Sequence, residues 1–163
     1  MPVKKIALLS SMLALALIFS YVESLIPFYF GVPGMKLGLA NLLVVILLYL
    51  DCARDALVVN LARILLVGIL FGNGYGILYG VFGGIFSFAV MFLMKKTGRF
   101  SVLGVSAAGG VSHNLGQLLV ASLTVSNYRI AYYAPLLIIC GCVTGCLLGF
   151  VCLEVLKRLT VKG

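Results

Sequence analysis

Three polar residues lie close together inside an otherwise apolar stretch of the chain. The segment GGVSHNLGQLL (109–119) contains His113, the only histidine, followed by Asn114 and Gln117. A neutral imidazole both donates and accepts a hydrogen bond, and each side-chain amide offers donors and an acceptor. Because His113 and Gln117 are four residues apart, a helix would place them on one face. This set of groups is typical of ligand recognition.

A second set of polar residues also has the spacing that places side chains on one helical face. Asn60 and Arg63 are three residues apart within one apolar run, and Asn41 interrupts the preceding run. An arginine near the centre of a bilayer costs at least ~2.5–3.5 kcal/mol on insertion scales, so it is normally turned inward and partnered. Arg63 can hold an anion or a carbonyl oxygen in a forked geometry. Two roles remain open for these residues, a ligand site or hydrogen bonds that hold the helices together.

The available side chains argue against catalysis. The chain has four acidic residues, which all lie near the ends of apolar segments: Glu23, Asp51, Asp55 and Glu154. They form no paired-carboxylate or aspartate-rich magnesium motif, and a lone histidine without a neighbouring acid or nucleophile makes no triad. No phosphate-binding glycine loop with its lysine is present. We predict that the chain is not an enzyme, with no catalytic residue, no metal site and no cofactor of its own.

The composition places these polar residues in a membrane. Of the 163 residues, 63% are hydrophobic and 10% are charged, and the mean hydropathy is +1.23. A soluble domain of this size cannot bury so much apolar surface. Apolar runs between short polar or glycine-rich breaks predict helices at about 6–22, 35–50, 55–72, 75–94, 102–125 and 131–156. The predicted fold is all-α, a polytopic integral membrane protein with six transmembrane helices in a single domain, 1–163.

The distribution of basic residues predicts the orientation. With the N-terminus inside, only Lys36 and Arg129 face outward, and the inner face collects Lys4, Lys5, Arg54, Lys95, Lys96, Arg99, Lys157, Arg158 and Lys162. This bias predicts a cytoplasmic-membrane protein with both termini in the cytoplasm, and the short basic groups do not indicate nucleic-acid binding. At 1.5 Å per residue, Arg63 lies about 12 Å and His113 roughly 18 Å from the inner surface. They can therefore share a cavity open to the exterior.

Small residues at four-residue spacing predict close helix packing. Three lines of this kind occur: Gly72, Gly76, Gly80 and Gly84; Gly104, Ala108, Ser112 and Gly116; Gly141, Gly145 and Gly149. The first helix carries Ala7-x-x-x-Ser11 and Ser10-x-x-x-Ala14 near its predicted cytoplasmic end. Packing within the chain and docking of another membrane protein are both open for that patch. The five cysteines are interpreted as packing residues, although Cys142 and Cys146 share a helical face, which also allows a metal or redox pair.

Three blocks of the sequence resemble a known family: PGMKLGLAN (33–41), RILLVGILFGN (63–73) and GGVSHNLGQLLVA (109–121). Together they closely resemble the bacterial Gx transporter family, whose members are often labelled heptaprenyl diphosphate synthase component I, and the resemblance runs over nearly the whole chain. That family is grouped with the substrate-binding S components of energy-coupling factor (ECF) transporters, which are small six-helix bundles. The resemblance implies a subunit that captures a small molecule from the outer side of the bacterial membrane. Its partners would be the ATPases and the transmembrane subunit of an energising module.

The resemblance also implies roles for particular residues. In S components the ligand lies toward the outer side, under the loop that joins helices 1 and 2 and among helices 4–6. The expected ligand-binding residues are Glu23, Lys36, Asn41, Asn60, Arg63, His113, Asn114 and Gln117. A small-residue patch on helix 1 docks the transmembrane subunit, and its expected equivalents are Ala7, Ser10, Ser11 and Ala14. The alternative role is a non-catalytic membrane component linked to prenyl diphosphate or quinone synthesis, or to flavin-based extracytosolic electron transfer, in which a quinone or flavin would be bound.

Overall fold

The computed structural model describes residues 3–25, 38–125 and 128–160, which form a bundle of six α-helices without a strand. The helices are α1 (Val3–Leu25), α2 (Asn41–Tyr49), α3 (Ala53–Leu70), α4 (Gly74–Thr97), α5 (Val102–Val125) and α6 (Ala134–Thr160). A short 3₁₀ helix, Tyr128–Tyr133, leads into α6. The prediction of an all-α fold with six helices is confirmed.

Three stretches are long and apolar enough to cross a membrane. They are Val3–Leu25, Gly74–Thr97 and Arg129–Leu159, among the described residues. These helices identify a membrane protein. Of the other helices, α5 has the predicted bounds and α3 lies within two residues of them. Helix α2 is shorter than predicted, and its nine residues rise about 13 Å, against a hydrocarbon core of about 30 Å. Six helices are therefore present, but the described residues contain three candidate spans and do not confirm six.

The second helix begins later than the predicted range 35–50. Residues 35–37 lie outside the described part of the chain, and the helix starts at Asn41. Gly38 has a φ of +84°, which a right-handed helix excludes. The Asn41 N–H donates to the Gly38 carbonyl over 2.9 Å, so Gly38 closes a turn in front of the helix.

Helix α2 lies at the centre of the bundle. All eight residues from 41 to 48 are buried, and the helix contacts every other α-helix. A helix that is apolar on all sides must be surrounded by protein or lipid, and here its neighbours are protein. The apolar core around α2 takes one fully buried residue from each of the five other helices: Ala16, Ala56, Met91, Val105 and Cys152.

Helices α4, α5 and α6 approach one another along glycines. A Cβ atom added to Gly110 would overlap the backbone of Gly141, so α5 and α6 touch through their main chains. A Cβ atom on Gly116 would lie 3.0 Å from the Cα of Gly83 on α4. The predicted line of small residues that begins at Gly104 therefore does not form one seam, because its last member faces α4 while the contact with α6 runs through Gly110.

Two ion pairs bring three segments of the chain together at one end of the bundle. Lys5 Nζ lies 2.7 Å from Asp55 Oδ2, and Lys95 Nζ lies 2.5 Å from Asp51 Oδ1. Lys95 also donates to the carbonyl of Leu48 over 2.6 Å. The start of α1, the connection from α2 to α3 and the end of α4 thus share one end, as the predicted topology requires.

Candidate functional site

A cavity of about 310 Å³ opens between α1, α3, α4 and α5, beside Gly38, which lies three residues before α2. Its lining includes four of the residues that the sequence predicts for ligand binding: Glu23, Arg63, His113 and Gln117. On α1, Glu23 lies 18 residues beyond Lys5, which is about 27 Å along the helix. The cavity is therefore at the opposite end of the bundle from the ion pairs.

The guanidinium of Arg63 is held from two sides. Its Nη1 donates to the hydroxyl of Ser20 on α1 over 3.1 Å, and its Nη2 donates to the Asn60 Oδ1 over 2.8 Å. Asn60 in turn donates from Nδ2 to the Gly84 carbonyl of α4 over 3.4 Å. The side chain of Arg63 is 5% exposed, so burial and these bonds fix its orientation. Asn60 and Arg63 therefore share one helical face, as their spacing predicts, and hydrogen bonds to α1 and α4 hold them in place.

Glu23 connects the end of α1 to the turn that precedes α2. Its Oε1 accepts a hydrogen bond of 2.6 Å from the Gly38 N–H. The buried carboxylate and the guanidinium of Arg63 line the same cavity, where opposite charges attract. Lys36, which the sequence predicts to share this site, lies outside the described residues.

His113 and Gln117 pack against a glycine of α4. A Cβ atom on Gly83 would lie 2.8 Å from the Gln117 Cγ and 3.3 Å from the His113 Cε1. On the neighbouring face, a Cβ atom on Gly84 would lie 2.9 Å from the Asn60 Nδ2. The adjacent glycines of α4 therefore leave room for polar residues of α5 and α3, and they set how closely these residues approach the cavity.

The two remaining predicted amides have different surroundings. Asn41 is buried, and a Cβ atom on Gly38 would lie 2.9 Å from its Nδ2 and 3.3 Å from the His113 Cδ2. Asn41 and His113 therefore approach the same point at the edge of the cavity. Asn114 instead donates from Nδ2 to the Leu137 carbonyl of α6 over 2.9 Å and does not line the cavity. Its contact holds α5 and α6 together.

Several buried polar atoms around the cavity have no hydrogen-bond partner within the described ranges. They include the Asn41 Oδ1 and Nδ2, the Arg63 Nε and the His113 Nδ1. A buried polar atom left unpaired costs about 1–3 kcal/mol, and folded proteins contain few of them. Among the described residues, these unpaired atoms therefore lie near one cavity.

Two residues that the sequence analysis did not select belong to this cluster. Ser20 is fully buried and accepts from Arg63, and Gly83 accommodates His113 and Gln117. Ser20 is three residues before Glu23, so its place on the same helical face was available from spacing. Gly83 lies outside the four-residue line that ends at Gly84, and its role depends on how α4 and α5 align.

The predicted docking patch lies on the outer surface of α1. Its members are all exposed: Ala7, Ser10, Ser11 and Ala14. The hydroxyl of Ser11 donates to the Ala7 carbonyl over 2.9 Å, so it adds little polarity to the surface. Within the described part of the chain, these four residues are therefore not buried by intramolecular packing.

Comparison with known families gives one match. The family model described as heptaprenyl diphosphate synthase component I matches residues 12–155. The chain belongs to this family. The resemblance noted in the sequence is thereby confirmed, and the match includes the cavity residues from Glu23 to Gln117 but only Ala14 of the docking patch. No curated protein and no solved structure matches the chain.

The family's description refers to one component of a synthase. Within the described ranges, no group of three or more histidine, cysteine, aspartate or glutamate residues could hold a metal ion. What the fold supplies is a cavity lined by both polar and apolar residues.

Proposed function

We propose that this protein is the substrate-binding membrane subunit of an ECF-type ATP-driven importer, which captures a small molecule from the outer side. The observation that carries the proposal is the cavity itself, which collects Glu23, Arg63, His113 and Gln117 from three helices. Ligand cavities are concave sites with a few convergent polar groups, commonly of about 300–1,000 Å³. The bonds from Arg63 to Ser20 and Asn60 keep its donors in place before a ligand arrives, which lowers the entropic cost of binding.

Helix α1 links the two surfaces that such a subunit needs. Its buried face supplies Ser20 and Glu23 to the cavity, and its exposed face carries Ser10 and Ala14. A partner that binds the exposed face and moves α1 relative to α3 would strain the bond from Arg63 to Ser20. In this mechanism, ATP hydrolysis in the partner weakens the site and releases the molecule inside.

The test is affinity purification of the full chain from its native membranes. The proposal expects a pair of ATPases and a transmembrane subunit to co-purify with the wild type and to be lost from Ser10→Leu, which adds bulk to the docking patch. Val143→Leu is the matched control, because Val143 is exposed on the surface of α6, away from that patch. Absence of ATPases from the wild-type sample would contradict the transport role.

The family's description favours one other function. A component of a prenyl diphosphate synthase, as the family is described, would bind its partner enzyme. In this alternative the protein would serve prenyl diphosphate or quinone synthesis, and the bound group would be a quinone or a flavin. The same purification distinguishes the two roles. Recovery of a prenyl synthase or a flavoprotein without ATPases would favour the alternative.

A further inference from the structure

A second pocket lies at the end of the bundle that is opposite the cavity. It is lined by residues around the connection from α2 to α3 and by the last turns of α4: Leu48, Asp51, Ala53, Phe92, Lys95 and Lys96. Helix α4 is one of the candidate membrane spans and ends at Thr97. Its last turns are therefore expected at the level of the lipid headgroups, where lysines commonly flank a span.

Helix α4 carries a line of aromatic rings that ends in a positive charge. Phe88, Phe92 and Lys96 are spaced by four residues, so they share one face of the helix. The rings of Phe88 and Phe92 are stacked, with centroids 6.1 Å apart and planes inclined by 14°. Phe92 is 38% exposed, and Lys96 is exposed one turn further along. This surface is complementary to a molecule with an apolar chain and an anionic headgroup.

The charge of Lys96 is not neutralised by an acidic side chain. The chain has four acidic residues, of which Glu23 lines the distant cavity and the other three pair with other basic residues: Asp51 with Lys95, Asp55 with Lys5, and Glu154 with Lys157 and Arg158. Arg54, which follows the lining residue Ala53 in the chain, and Arg99 are likewise left without an acidic partner. A basic residue near a membrane surface contributes about 1 kcal/mol of attraction to anionic lipids.

Asp51 reduces the positive charge of the pocket. Its carboxylate pairs with Lys95, whose Nζ also donates to the Leu48 carbonyl. Asp51 has a φ of +58°, a left-handed conformation in which asparagine is also enriched. The substitution Asp51→Asn would therefore keep the backbone and free the charge of Lys95 for an added anion, while the Leu48 carbonyl still holds the ammonium at the pocket.

We propose that this pocket binds an anionic phospholipid, with the headgroup at Lys96 and an acyl chain along Phe92 and Phe88. The exposed ring of Phe92 favours a lipid over a soluble anion, because a soluble anion makes no use of an apolar surface. The unpaired cations favour an anionic lipid over a zwitterionic one. The proposal concerns the opposite end of the bundle from the ligand cavity and does not depend on the function of that cavity.

The test counts the lipids bound to the full chain in detergent micelles by native mass spectrometry. Dioleoyl phosphatidylglycerol and dioleoyl phosphatidylcholine are the probes, because they share their acyl chains and differ in net charge. We expect the wild type to bind phosphatidylglycerol at least about tenfold more tightly than phosphatidylcholine. Lys96→Gln should weaken phosphatidylglycerol binding about fivefold, and Asp51→Asn should strengthen it about fivefold. Phe92→Ala should weaken both lipids by a similar factor, because it removes apolar contact and no charge.

Lys4→Gln is the matched control. It removes the same charge from an exposed lysine at the same end of the bundle, and Lys4 does not line the pocket. Equal binding of the two lipids by the wild type would overturn the proposal, as would equal losses in Lys96→Gln and Lys4→Gln. The gain expected from Asp51→Asn keeps the test decisive even if Lys96→Gln is unstable, because misfolding does not strengthen binding. Displacement of phosphatidylglycerol by inorganic diphosphate at constant ionic strength would instead assign the pocket to a soluble anion.

Discussion

Replacing Gly83 by alanine tests how α4 positions the site. The added Cβ would lie 2.8 Å from both the Gln117 Cγ and the His113 carbonyl oxygen. To reach an ordinary contact near 3.4 Å, α5 must move away by about 0.6 Å, because the carbonyl belongs to the main chain and cannot turn aside. Overpacking of this kind costs about 1–3 kcal/mol. Alanine recovers about 1 kcal/mol of helix propensity, so we expect a net loss of up to about 2 kcal/mol in the free energy of unfolding.

The matched control is Gly74→Ala on the same helix. A Cβ atom at Gly74 meets nothing within 4 Å, so this substitution should be neutral or slightly stabilising. Reversible denaturant unfolding in mixed micelles gives both free energies, and ligand affinity is measured on the same samples. The reasoning is refuted if Gly83→Ala is as stable as Gly74→Ala and retains full ligand affinity.

Two further predictions concern contacts away from the cavity. Gly110→Ala should destabilise the protein more than Gly83→Ala, because its Cβ would overlap the main chain of Gly141; equal unfolding free energies for the two variants would contradict this. Lys95→Ala should cost no more than about 1 kcal/mol, because its partner Asp51 is 90% exposed and exposed ion pairs contribute little. A loss of several kcal/mol in the same unfolding assay would show that the bond from Lys95 to the end of α2 matters more than expected.

Apolar runs and breaks were enough to predict the order and class of the helices. These patterns did not predict the length of α2, because the start of that helix depends on the backbone conformation of Gly38. A glycine in the sequence is compatible with a helix as well as with a turn. The apolar runs also could not give the number of membrane spans, because an apolar helix at the centre of a bundle has the same composition as one that faces lipid.

Spacing along a helix correctly paired Asn60 with Arg63, since residues three apart share a face. The same rule separates Asn114 from His113, because adjacent residues point about 100° apart, and Asn114 indeed bonds to α6. Grouping Asn114 with the cavity residues overlooked that rotation. The bond from Arg63 to Ser20 joins residues 43 apart in the chain, and no local pattern predicts such a contact.

The most direct test of the central claim is the content of the cavity in protein purified from native membranes. Mass spectrometry of the released small molecules would compare the wild type, the double variant Arg63→Ala/His113→Ala, and Ser87→Ala. Ser87 is a buried control that donates to the Gly109 carbonyl and does not line the cavity. We predict one small molecule that co-purifies with the wild type and Ser87→Ala and is lost from the double variant. Full-strength retention by the double variant would contradict the assignment of this cavity as the ligand site.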